Sequence, residues 1–192
     1  MKLTDLLYSS LLVVALALSA CSPQEPAGGS AAAAKREVSM ATVSAQAKGF
    51  VVGSMMSANT VYVFFDAQCP HCGHLWEASK PLHQKAKFVW IPVGMINATS
   101  RAQGAALLTA ADPASLMSEH EASLLAGKGG ISASASVAPQ TELAIKNNTE
   151  LLNSFGAEAV PFVVAKNLKT GQTVSRDGAM TTAALSEFLG LD

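Results

Sequence analysis

A chain of 192 residues that is 49% hydrophobic and 14% charged can build one well-packed domain, with length left for a leader or a tail. Its formal net charge of −1 offers no basic stripe, which excludes nucleic acid as a partner. Three cysteines, Cys21, Cys69 and Cys72, are too few for a disulfide-stapled scaffold, and the low aromatic content (6%) favours helical segments over an all-β sandwich.

The first element is a leader. Residues 6–18 are almost continuously apolar, interrupted by Tyr8, Ser9 and Ser10. The run is shorter than the ~20 residues of a membrane-spanning helix and has the length of a signal-peptide core, with Lys2 ahead of it. It ends in Leu18-Ser19-Ala20-Cys21, which resembles the bacterial lipobox. In that reading residues 1–20 are removed and Cys21 becomes a lipid anchor, never a redox thiol. Two or more acyl chains hold a protein stably on a membrane, at ~0.8 kcal/mol per buried CH2. The alternative is an ordinary signal peptide with an incidental cysteine. Ser22, rather than Asp, after the anchor points to the outer membrane. Residues 21–47 read as a flexible tether, because Ser-Pro-Gln-Glu-Pro-Ala-Gly-Gly-Ser and the alanines after it have too little apolar surface to order themselves.

The folded domain is expected over residues 48–192. Residues 60–66, TVYVFFD, are apolar throughout, as in a strand buried on both faces. A helix should start at Pro70, carry Cys72, Leu75, Trp76 and Ser79 on one face, and be kinked or ended by Pro81. Residues 88–93 form a second core strand in which Pro92 limits pairing. A helical block of about 97–155 follows. Ser100-Arg101-Ala102-Gln103 matches a capping box, Asp112-Pro113 a second helix start stopped by Gly127, and Pro139 to Phe155 a third helix closed by Gly156. Residues 161–165 are a strand, residues 167–172 turn the chain, 173–175 pair back, and Thr181 opens a last helix that buries Leu185, Phe188 and Leu189. The order is a βαβ unit and a ββα unit with helices inserted between them, an α/β architecture.

Cys69-Pro70-His71-Cys72 lies where the first strand meets its helix. Unpaired N–H groups and the positive end of the helix dipole stabilise an anion there, so Cys69 should carry a depressed pKa, with His71 adding a donor or a partial charge. A stabilised thiolate stabilises the reduced protein and makes the disulfide a stronger oxidant. Cys72, one turn on, is placed to resolve a mixed disulfide. The same spacing serves zinc or copper, but the helical pair with His71, His74 and His83 is a poor tetrahedral set. A purely structural bridge across so small a loop gains little.

The segment from Tyr62 to Cys72 resembles the active-site region of the DsbC/DsbG branch of periplasmic disulfide proteins, and the resemblance extends over about residues 49–191. It implies a thioredoxin-like fold with a helical insertion, a redox-active Cys69–Cys72 disulfide with no other cofactor, and a cis-proline loop at Val160-Pro161 whose Val160 backbone pairs with an extended substrate. Pro70-His71 and Val160 are more similar to the oxidase DsbA. The N-terminal dimerisation domain of DsbC and DsbG has no counterpart between Cys21 and Gly49, so a monomer is expected. Thioredoxin and DsbA carry a buried acid six residues before the first cysteine; here that position is Val63, and Asp66 reads as a strand-end or capping residue rather than a proton acceptor.

The expected protein is a periplasmic thiol:disulfide oxidoreductase, tethered to a membrane through Cys21 and acting on exported proteins that bear thiols or disulfides, in the oxidising direction. A membrane redox partner would restore its active form. The alternatives are disulfide isomerisation or reduction of sulfenylated cysteines, as the resemblance implies, and a thiol-based metal-binding module.

Overall fold

The computed structural model describes residues 35–192; the leader, Cys21 and most of the tether lie outside the described residues. The first element among the described residues falls inside the expected tether. Helix α1, Met40–Gln46, starts where the Ser39 hydroxyl accepts the Thr42 N–H at 3.4 Å, and it buries Val43 completely. The folded part therefore begins before residue 48. One buried valine and a serine cap are a faint signal beside the Pro, Gly and Ala of the preceding residues.

Five strands form one sheet in the order β1-β3-β2-β4-β5: β1 Phe50–Gly53, β2 Thr60–Asp66, β3 Lys87–Val93, β4 Phe162–Lys166 and β5 Thr173–Asp177. Strand β2 is central, parallel to β3 (Phe64 opposite Ile91) and antiparallel to β4 (Phe64 opposite Phe162). Its apolar run works because alternate side chains enter different cores. Val61, Val63 and Phe65 join one cluster, and Phe64 joins the other. Strand β1, which the sequence reading passes over, pairs antiparallel with residues 87–90 of β3. Pro92 lies beyond that pairing, so its missing N–H deprives no β1 partner.

Helices cover both faces. Helix α2, Pro70–Ser79, continues into a 3-10 turn at Lys80–Leu82, and α6, Thr182–Leu189, lies on the same side. Leu75 and Trp76 of α2 and Leu185 and Leu189 of α6 fill the first core, where Trp76 packs edge-on against Trp90 at 5.1 Å between ring centroids and Trp90 against Phe65 at 5.7 Å. Each such pair contributes about 0.5–1.5 kcal/mol beyond its buried area. The other face is closed by α1 and by α5, Pro139–Ser154, through Val43, Leu151, Leu152 and Phe155.

The helical insertion comprises α3 (Ala98–Thr109), α4 (Pro113–Leu125) and α5. Asp112 caps α4 as the sequence suggests, its carboxylate accepting the Ser115 N–H at 3.0 Å. The capping box of α3 sits three residues earlier than expected: Asn97 and Ser100 exchange the two bonds, at 3.1 and 3.2 Å. Asn competes well with Ser as a cap, and Gln103 is thereby freed for a buried role.

Candidate active site

Strand β2 ends at Asp66, whose fully buried carboxylate organises two loops. One oxygen accepts the Gln68 N–H at 2.9 Å; the other accepts the N–H groups of Met95 and Ile96 at 2.7 and 3.0 Å. Asp66 therefore holds the loop ahead of α2 to the loop after β3, in the strand-end role expected of it. Cys69 is the N-cap of α2, with φ −97° and ψ 109°, and Pro70 occupies the first helical turn. The Cys69 N–H donates to Asp66 O at 3.0 Å, and the Cys72 N–H donates to Cys69 O at 2.9 Å. Cys69 keeps 6% of its surface accessible and Cys72 none, while Pro70 and His71 are exposed.

This geometry separates the two thiols electrostatically. The Cys72 S–H donates to the Cys69 sulfur, the largest of the effects that bring the Cys69 thiol down from 9.0 to about 6. Partial burial opposes it, while the backbone N–H groups of Cys72 and His71 and the His71 charge reinforce it. Burial drives Cys72 the other way, well above 9.0, helped by its bond to Cys69 and by the Cys69 charge. The pair thus holds one accessible thiolate beside one buried thiol. The Val160–Pro161 peptide bond is cis, and Val160 O lies 3.4 Å from Cys69 Sγ, accepting its proton in the thiol form. Cys69, Cys72, Pro70, His71, Val160 and Pro161 are therefore brought together. Among the described residues no three His, Cys, Asp or Glu side chains converge as a metal-binding group, and no helix is long and apolar enough to cross a membrane.

Helix α4 supplies what the sequence reading missed. His120 is fully buried; its Nε2 donates to Ala67 O at 2.7 Å and its Nδ1 accepts the Ile131 N–H at 3.2 Å. That pairing fixes a neutral tautomer, and burial holds the ring below its ordinary pKa. Gln68 Nε2 donates to Gln103 Oε1 at 2.6 Å, and Gln103 Nε2 donates to Gly129 O and Ile131 O at 2.8 and 2.7 Å. Glu121 is fully buried with both carboxylate oxygens unpartnered. Burial first, then the Cys69 and Glu77 charges, raises it from 4.5 to about 8. Met117, His120 and Glu121 share a buried stripe at helical spacing, the signal that could have placed them against the cysteines. His83, grouped by sequence with His71 and His74 near the cysteines, is half-buried between Trp76 and Phe88, with Nε2 at 3.1 Å from Ser79 Oγ.

A five-stranded sheet with a dithiol at the N-terminus of its first long helix and a cis-proline against the sulfur is a thioredoxin-like fold with a helical insertion. No family model matches the chain. It is similar to the thiol:disulfide interchange protein DsbG of Pseudomonas aeruginosa, with 33% identity over 141 residues, covering 72% of this chain and 54% of the relative. Similarity to the DsbG of Escherichia coli is 32% over 105 residues, covering 54% and 42%. The chain spans about half the length of the curated relatives it matches. Among solved structures, a periplasmic thioredoxin-like protein from Salmonella enterica serovar Typhimurium superposes with a TM-score of 0.64 at 15% identity, covering 81% of this chain and 98% of that one.

Proposed function

We propose that this protein is a thiol:disulfide oxidoreductase that exchanges disulfides with exported proteins in the periplasm, working in the oxidising direction. The observation that carries this reading is the split pair at the head of α2: a Cys69 thiol lowered to about 6 beside a buried Cys72. In the oxidised protein a substrate thiolate attacks Cys69 Sγ. The Cys69–Cys72 bond breaks and its electron pair leaves on Cys72, which takes up a proton. A second substrate thiolate attacks the substrate sulfur of the mixed disulfide and releases Cys69 as its stabilised thiolate. Two substrate thiols lose two electrons and the active-site pair gains them. Val160 and Pro161 lie beside Cys69 and offer backbone to an extended substrate segment.

The identity to interchange proteins favours a second reading, disulfide isomerisation or reduction. Equilibration of the Cys69–Cys72 pair with glutathione, followed by the fluorescence of the buried Trp76 on the same helix, tests the direction. A pair oxidising enough to convert a reduced dithiol peptide stoichiometrically supports the oxidase. A pair held oxidised until strongly reducing conditions, with rapid insulin reduction, overturns it in favour of the second reading. Stoichiometric metal uptake that blocks thiol alkylation would replace both.

The same proposal takes residues 1–20 as a cleaved leader, Cys21 as the lipid anchor and the residues ahead of α1 as the tether. Wild-type protein is expected with the membrane fraction and Cys21→Ala protein in the soluble periplasm; equal partitioning would refute the anchor.

A further inference from the structure

The Glu121 carboxyl takes no part in the exchange of bonds between sulfurs, yet it is buried beside the helix that carries them. It is a fully buried acid whose two oxygens find no hydrogen-bond partner. A buried carboxyl without partners costs stability and persists only where something else requires it. Its place is defined by Gly73, the residue after Cys72: a side chain there would put its Cβ 2.6 Å from Glu121 Oε2, and 3.2 Å from Leu125. A glycine inside a helix is itself unfavourable relative to alanine, and here it opens a gap into which the acid reaches from α4.

We infer that Glu121 is the proton donor and acceptor for Cys72, delivered from the helical insertion rather than from the central strand. The inference rests on the thiol-exchange reading. When a substrate thiolate attacks Cys69, Cys72 departs as a thiolate in a fully buried site, and the protonated Glu121 supplies its proton. In the reverse direction the Glu121 carboxylate takes the Cys72 proton over one bridging water, since neither of its oxygens is hydrogen-bonded to the thiol. Cys72 Sγ then attacks Cys69 Sγ, the Cys69–Cys72 bond forms, the mixed disulfide breaks, and its electron pair leaves on the substrate sulfur.

The groups facing Glu121 fit this role. From α2 they are Cys69, Cys72 and Glu77, and the Cys69 and Glu77 charges both favour the protonated acid. The Glu121 charge in turn raises Cys72. On its own helix His120 is turned away, bound to Ala67 O and Ile131 N, and Glu119 is exposed. His71 and His74 of α2 and Lys128 of the following loop are exposed. The one ionisable residue of α3, Arg101, lies 4.0 Å from Glu142, and β1 carries none. Among the described residues no cation neutralises the carboxylate, and burial with the Cys69 and Glu77 charges brings its titration to about 8, within about one unit of neutral pH. A general acid–base is most effective there.

The test is a two-step reaction of the reduced protein with Ellman's disulfide. Attack by Cys69 releases the first thionitrobenzoate, and attack by Cys72 on the mixed disulfide releases the second. In Glu121→Gln the first phase is expected within about twofold of wild type. The second should slow by at least about tenfold at pH 8. Its rate should also rise steadily with pH, where the wild-type rate levels off above 8. Glu121→Asp should recover part of the loss. A purely structural role would disturb both phases, and an unchanged second phase in Glu121→Gln would overturn the inference. If wild type gives no second phase, the thiol-exchange reading itself falls. Should Glu121→Gln not fold, infrared titration of the wild-type carboxyl decides. A protonated-acid band lost near pH 8 that shifts between the dithiol and disulfide forms supports the assignment, and a band insensitive to the sulfurs refutes it.

Discussion

Replacing Cys72 by Ala removes the S–H that donates to Cys69, the largest effect lowering the Cys69 thiol to about 6. The backbone N–H at position 72 and the His71 charge remain, as does the opposing burial. The Cys69 titration should therefore move up toward 9.0 by at least about one pH unit, a tenfold loss of thiolate at any pH below both midpoints. In wild type a thiol titrating at about 6 is about nine-tenths ionised at pH 7, against about one per cent for an unperturbed one. Rates at a single pH show little of this contrast. A thiolate with a lower pKa is intrinsically less nucleophilic, and a Brønsted slope of ~0.4–0.5 over three units returns roughly 15–30-fold of the gain. The pH midpoint of iodoacetamide alkylation, followed in wild type and in Cys72→Ala, is the informative quantity. A wild-type midpoint near 9, or a variant that titrates with the wild type, would refute the account of the split pair.

Three further outcomes follow from the same geometry. Because Glu121 titrates at about 8 when folded and near 4.5 when unfolded, the unfolded chain ionises first as pH rises. Wild-type stability relative to Glu121→Gln should therefore fall between pH 4.5 and 8, by up to about 5 kcal/mol, in paired urea unfolding curves; a pH-independent difference would contradict the raised acid. His120→Ala leaves Ala67 O and the Ile131 N–H without their buried partner and should cost about 2–5 kcal/mol and several degrees of Tm. Asp66→Ala strips the acceptor from three backbone N–H groups and is expected to loosen residues 94–97 and 66–69 together, seen as faster amide exchange at Gln68, Met95 and Ile96.

Much of this architecture can be read directly from residues. TVYVFFD, rich in β-branched and aromatic residues, reads as a strand covered on both sides, and Pro70 after a short loop marks a helix start, so β2, α2 and the cysteines at the head of that helix are legible. Strand β1 is four residues long with one neighbour, too short for its periodicity to stand out. The α3 start was misplaced because Ser100 and Gln103 mimic a capping box while serving as its far half and as a buried hydrogen-bonding hub. Glu121 was missed for a different reason. An acid in a helix is nearly always solvated, and only the three-dimensional approach of α4 to Gly73 makes this one buried. Residues contributed by a distant element leave a weak local signature, whereas Cys69 and Cys72 create their own environment within one turn.

The bonds that join α3 and α4 to the segment ahead of α2 also govern how this protein can be recombined. Gln68 and Ala67 precede the cysteines, and their partners Gln103, His120 and Gly129 lie in the insertion. A chimera that exchanges residues 97–138 with those of another thioredoxin-like protein, but keeps residues 66–73, separates an acceptor from its donor at each of these contacts. Such grafts should recover a well-ordered dithiol only when Gln68, Gly73, Gln103, His120 and Glu121 travel as one unit. The modular boundary of the catalytic centre thus runs through α4, not along the edge of the sheet.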